Sequence, residues 1–140
     1  MYTGLRIKVT IKEEYREMIQ AINEEKMYFR DYVEQYPFLS DFANLQRSDS
    51  IPSGISAYMP TSWEDTNEKA TDGFERYFDM NTGIWVFQCS LKNYGGVIER
   101  FFADVLPHII ISAEHIESWH EEDAASVMYH YKEGKIVKDD

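Results

Sequence analysis

The spacing of apolar residues changes abruptly near Ile11, and no other feature of the chain constrains its fold as strongly. Leu5-Arg-Ile-Lys-Val-Thr-Ile11 places an apolar residue at every second position. Successive side chains of a strand point to opposite sides, so this is the pattern of a half-buried strand. From Tyr15 the spacing becomes i, i+3, i+4, i+7, through Met18, Ile19 and Ile22, which is one face of a helix. The pattern predicts a strand over about 4–10 and a helix over about 12–25. Thr10 and Glu13 have the spacing of a capping box, in which the Thr oxygen accepts a free helix N–H and the Glu reaches back.

The same reading carries along the chain. Phe29, Tyr32, Val33 and Tyr36 continue a helical stripe over 27–46, which Pro37 breaks, and Leu39, Phe42 and Leu45 suggest a further turn or two. Residues 47–54 are loop by composition, Ile55 to Met59 can form a short strand, and 60–73 is polar and turn-rich, with Ser62 and Asp65 as caps of a short helix anchored by Trp63. Phe74 to Leu91 reads as a hairpin closed by Asn81-Thr82-Gly83, with Trp85, Phe87, Cys89 and Leu91 on its core face. Asn93 can cap a helix over 94–106 that buries Val97, Ile98, Phe101 and Val105 and ends at Pro107. Ile109 then starts a strand, and the chain closes with a turn at Gly134. Two helices that each cross to the next strand of an antiparallel sheet make a split β-α-β plan. The expected fold is α+β: a ferredoxin-like antiparallel sheet with helices packed on one face and a helical insertion after the first helix, in a single domain spanning 1–140.

Composition narrows the function. With 14 basic residues against 25 acidic ones the net charge is −11, so the chain lacks the basic face that direct nucleic-acid binding needs. No apolar run approaches the roughly 18–20 residues of a membrane span. The opening MYTGLRIKVTI lacks the basic and apolar regions of a signal peptide. The lone cysteine, Cys89, has no partner for an internal disulfide; with the absence of a signal, this points to the cytoplasm.

The run GIWVFQCSLKNYGGVIERFFADVLPHIIISAEHIESW, with YHYKEGKIV after it, resembles the ferredoxin-like YubB family, small proteins of plasmids, phages and bacterial chromosomes. The likeness lies in an aromatic-rich strand, a helix ending near a proline, then a strand and a final hairpin. It implies the fold above and supplies no known activity.

The stretch HIESWHEEDAASVMYHY, residues 115–131, holds three of the four histidines, His115, His120 and His130. As a hairpin with loop 121–125, it pairs Trp119 with Val127 and Ile116 with His130. That register is favoured because it gathers Trp119, Val127, Tyr129 and Tyr131 on one apolar face. It puts His115 on the opposite face from His120 and His130, which lie roughly 13 Å apart at about 3.3 Å per residue. Zinc ligands must converge within roughly 2.0–2.3 Å of one ion, so no three-His metal site forms. A one-residue slip instead sets His115 opposite His130. Glu121, Glu122 and Asp123 read as a hairpin tip, since a calcium loop needs spaced oxygens and a turn glycine. Asp79 to Gly83 likewise reads as a turn. Cys89, between Phe87 and Leu91, reads as a core residue. Tyr94-Gly95-Gly96 opens a helix without a phosphate-loop pattern. No motif calls for a metal or cofactor.

Trp63 stands in a polar loop beside Glu64 and Asp65, and an aromatic side chain among acids suits a basic partner. The sequence therefore predicts a small acidic binding module that docks a basic protein partner in a regulatory, toxin-neutralising or anti-defence role. Trp63, Glu64, Asp65 and the tip Glu121, Glu122 and Asp123 are its expected contact residues. The competing reading is a small enzyme or ligand-binding protein built on the His–Glu hairpin. Self-association through a sheet edge is compatible with either.

Overall fold

A computed structural model describes residues 2–55 and 73–140. The alternating segment becomes β1 (Tyr2–Ile11), longer at both ends than expected. Thr10 therefore belongs to the strand and the capping box does not form. Lys12 precedes a 3-10 turn, Glu13–Tyr15, that runs into α1 (Arg16–Asn23), with no side-chain cap at either start. Met18, Ile19 and Ile22 are buried as their spacing requires.

The insertion after α1 is more broken than one helical stripe. It comprises 3-10 turns at Phe29–Tyr32 and Pro37–Leu39, then α2 (Ser40–Ala43) and α3 (Ser50–Ser53). Pro37 opens its turn rather than stopping a helix, because a first-turn position needs no N–H and proline's fixed φ suits it. Ile55 makes one isolated bridge to Ser90. The rest of the strand expected over 55–59, and the short helix around Trp63, lie outside the described residues.

The hairpin of β2 (Tyr77–Phe78) and β3 (Ile84–Lys92) forms as expected. Asn93 Oδ1 accepts the Ile98 N–H at 2.9 Å, and the helical run begins with α4 (Val97–Arg100). Pro107 does not end that run. A wide π turn, Phe101–Val105, leads into α5 (Leu106–Ile109), with Leu106 N–H bonded to Phe101 O. In a regular helix the proline ring would meet the carbonyl four residues back; the wide turn just before it carries the chain past that clash. The chain finishes with β4 (Ile110–His120), β5 (Val127–Lys132) and β6 (Lys135–Lys138).

The six strands form one antiparallel sheet in the order β2-β3-β1-β4-β5-β6. On one face Leu5, Ile7 and Val9 of β1, Trp85, Phe87, Cys89 and Leu91 of β3, and Ile116 of β4 pack against Ile19, Ile22, Phe29, Phe42, Phe101 and Val105 of the helical layer. Two register shifts interrupt the pairing of β1 with β4, leaving Glu114 and Ile111 as the extra residues. The shift at Glu114 reverses which residues of β4 point inward, so Ala113 and Ile116 both face the helices.

Candidate functional site

The other face of the sheet carries a row of buried polar side chains. Arg6, at the middle of the central strand, lies directly across from Gln88 on one side and Glu117 on the other. Its Nε donates to Gln88 Oε1 and its Nη1 to Glu117 Oε1, both at 3.0 Å. All three residues are buried, Arg6 at 7% exposure and Glu117 at 5%. His115, two residues before Glu117 and so on the same face, sets its Nε2 2.8 Å from the same Glu117 oxygen. The Phe74 ring covers this end of the row, 4.8 Å from the His115 ring and 5.4 Å from the Arg6 guanidinium carbon.

Burial pushes the Glu117 carboxyl upward. Hydrogen bonds from Ser126 and His115 and the charge of Arg6 outweigh that, so its pKa falls below the ordinary value. The side chain is thus an anion held by donors from β1, from β4 and from Ser126 just before β5. With its Nε2–H donating to Glu117, the half-buried His115 keeps Nδ1 as a proton acceptor. Arg6, Gln88, Glu117 and His115 together form a polar bridge across the three central strands.

The hairpin register corrects the sequence reading. Ile116 pairs with Tyr129, Glu117 with Met128 and Ser118 with Val127, the slipped alternative. Tyr129 and Val127 turn toward the helices, where the Tyr129 ring meets Phe102 at 4.8 Å. Trp119 points the other way, opposite Gly4, and its Nε1–H donates to Asp123 O at 3.0 Å. The indole fits there because Gly4 brings no side chain to the facing position, and the register shift in β4 makes the inversion possible. In this register His115 bonds to Glu117, and His130 sets Nδ1 2.6 Å from Asp139 Oδ1. Among the described residues no group of three or more His, Cys, Asp or Glu side chains could hold a metal ion.

At the tip, Glu121 is tied inward, its Oε1 accepting the Tyr2 N–H at 2.8 Å. Glu122 and Asp123 are exposed. Trp63, Glu64 and Asp65 lie outside the described residues. Cys89 is fully buried, and burial pushes its thiol up to about 12, so it has no thiolate for nucleophilic chemistry.

The helical layer holds a cluster that the sequence reading treated only as core. Tyr15, Tyr36 and Phe38 meet edge-on or tilted with ring centroids 5.0–6.0 Å apart, and Phe38 stacks on exposed His108 at 4.3 Å. Tyr32 is also only partly buried. Exposed Glu13, Glu14, Glu17, Asp31 and Glu34 occupy the same two segments, and none of them enters an ion pair among the described residues. Their field reaches the rings. Partial burial and then Glu14 raise the pKa of Tyr15; partial burial, then Asp31, Tyr36 and Glu17, raise that of Tyr32. The detectable signal in the sequence was the acids interleaved with the aromatic stripe.

Among the described residues no helix is long and apolar enough to cross a membrane. No protein-family model, curated protein or solved structure matches the chain.

Proposed function

We propose that this protein is a small cytoplasmic binding module that docks a basic protein partner on its helical layer. One observation carries the reading: half-exposed aromatic rings, Tyr15, Tyr32, Tyr36 and Phe38, share their surface with carboxylates that enter no ion pair among the described residues. Aromatic side chains supply contact area at little entropic cost and attract cations to their faces. Unpaired acids steer a basic partner and set its orientation. A chain of net charge −11 lends the same sign at longer range. Glu122 and Asp123 at the hairpin tip, and Trp63 with Glu64 and Asp65, extend the contact in this proposal. Its scaffold is a ferredoxin-like plan of the YubB kind. The order β2-β3-β1-β4, with helical crossovers between β1 and β2 and between β3 and β4, supports that scaffold.

The test is capture of a partner from the native host by the parent protein and by the variant Glu14→Lys/Glu17→Lys/Asp31→Lys. The expected result is one basic protein retained at about 0.1 M salt, released at about 1 M salt where screening shortens to about 3 Å, and not retained by the variant. A partner held equally by both proteins and at both salt concentrations, or no partner at all, refutes the proposal.

A further inference from the structure

We propose that the end of the sheet where β1 begins and β3 finishes binds the phosphate group of a small molecule between Arg47 and Lys92. A groove of about 250 Å³ opens there, between α3 and the last residues of β3, and Arg47 and Lys92 are the charged side chains among its described lining residues. In a chain with so many acids that is unusual, and the local pairing explains it. Among the described residues, Glu25 is engaged by Arg76 and the Ser53 hydroxyl, Asp49 by Arg30, Glu121 by the Tyr2 N–H and Glu99 by the Asn93 amide. Arg47 and Lys92 enter no ion pair among the described residues. Each instead rests on a tyrosine, Arg47 at 5.8 Å from the Tyr94 ring centroid and Lys92 at 5.9 Å from that of Tyr2. A ring face holds a cation in place without cancelling its charge.

The backbone is shaped for the same role. Arg47 has φ 73°, a left-handed conformation that costs a non-glycine residue energy and is kept only where its surroundings enforce it. Two bonds enforce it: Ser50 N–H to Arg47 O at 2.9 Å, and the buried Ser48 Oγ to Ala43 O at 3.1 Å. Gly54 closes the groove wall onto β3, where a Cβ would stand 2.4 Å from Ser90 O. Ser50 brings a hydroxyl to the lining, while that of the neighbouring Ser53 bonds the Glu25 carboxylate. Phosphate, with several acceptor oxygens and up to two charges, suits two cations and a hydroxyl donor.

The size sets the ligand class. Sites for drug-sized molecules occupy about 300–1,000 Å³, so this groove takes a headgroup and not a whole cofactor. A second groove of about 310 Å³ meets it at Lys92 and is lined also by Asn93, Tyr94 and His120. Tyr94 is 58% exposed and offers a ring on which the rest of the molecule can stack. The ligand class is therefore a small phosphate monoester. The net negative charge of the chain opposes such a ligand only at long range, since physiological salt screens over about 8 Å.

The experiment is calorimetric titration of the full chain with inorganic phosphate, adenosine monophosphate and adenosine. It compares the parent with Lys92→Gln and with Arg47→Asn, chosen because Asn tolerates the left-handed backbone. Circular dichroism confirms folding, and Lys92→Gln alone decides the outcome if the Arg47 variant does not fold. The expected result is binding of phosphate and of the monophosphate, a loss of about tenfold or more in either variant, and no binding of adenosine. Tighter binding of the monophosphate than of phosphate would place its base in the second groove; equal binding would assign the site to the phosphate alone. Absence of binding at millimolar ligand, affinities in Lys92→Gln within about twofold of the parent, or adenosine binding as well as the monophosphate would overturn the proposal.

Discussion

Arg6 shows how much one side chain at the centre of a sheet can be asked to do. It is a charged residue on the central strand, buried at 7% exposure, and its guanidinium spans to both neighbouring strands. Removing one partner of a buried pair leaves the other charge desolvated and uncompensated. Arg6→Met is therefore expected to cost about 3–5 kcal/mol, and Glu117→Gln, which keeps shape and an acceptor oxygen, about 1–3 kcal/mol, both read from urea denaturation. The Glu117 carboxyl also ties stability to pH. Its folded-state pKa lies below the ordinary value of 4.5, so above the ordinary glutamate range its contribution is fully present. As the pH falls, the unfolded chain takes the proton first, and the contribution is lost as the pH drops through the lower folded value. Thermal melts from pH 7 to pH 3 should show a steeper acid loss in the parent than in Glu117→Gln; equal slopes would remove Glu117 from the account. Arg6 was placed on the polar side of its strand by alternation alone, but its burial was not readable. That burial depends on what lies beside and over it, which one strand's pattern does not contain.

At the scale of elements, the parts with local causes were legible and the parts set by pairing were not. The period-2 run became β1, the i, i+3, i+4 stripe became α1, and the Asn81-Thr82-Gly83 turn closed β2 onto β3. Gly83, with φ 80°, sits where a Cβ would lie 2.6 Å from Ile11 O, whereas Gly134, with φ 77°, has open space around its Cβ position. Gly134→Ala is then expected to cost about 1–2 kcal/mol from the left-handed backbone alone. Gly83→Ala should cost measurably more, since the clash adds to the same strain; equal denaturation midpoints would count against that reading. The hairpin of β4 and β5 went the other way. Collecting Trp119, Val127 and Tyr129 on one face was the reasonable choice from apolar content. Yet β4, with its register shift at Glu114, pairs with β5 one residue away from that alignment, and Trp119 stands on the opposite face, across from Gly4. A bulge adds one residue and inverts every side chain after it, and nothing in the residues of β4 alone announces it. Thr10 failed as a cap for a related reason: the β1 pairing with β3 and β4 reaches Thr10 and claims it for the sheet.

At the scale of the whole molecule, the sheet's two edge strands among the described residues are short. β2 contributes two residues, and β6 is four residues long, Lys135-Ile-Val-Lys138, with both lysines exposed. Lysines on a short edge strand oppose pairing with another copy. The parent should therefore sediment as a monomer, and Lys135→Val/Lys138→Val should shift it toward a dimer; a parent already dimeric through this edge would contradict the expectation. The sequence by itself determined the class of the molecule, an α+β chain with a largely predictable set of buried apolar residues and an acidic balance, because periodicity and composition are local properties summed along the chain. Only the tertiary structure decided which polar groups meet. It placed Arg6 between Gln88 and Glu117, gave His115 and His130 different carboxylate partners, Glu117 and Asp139, and grouped Glu14, Glu17 and Asp31 around Tyr15 and Tyr32. It also set Arg47 and Lys92 beside one groove, with no ion pair to either among the described residues. Those outcomes depend on strand register and on contacts between residues far apart in the chain, and a one-residue change of register is enough to exchange every partner.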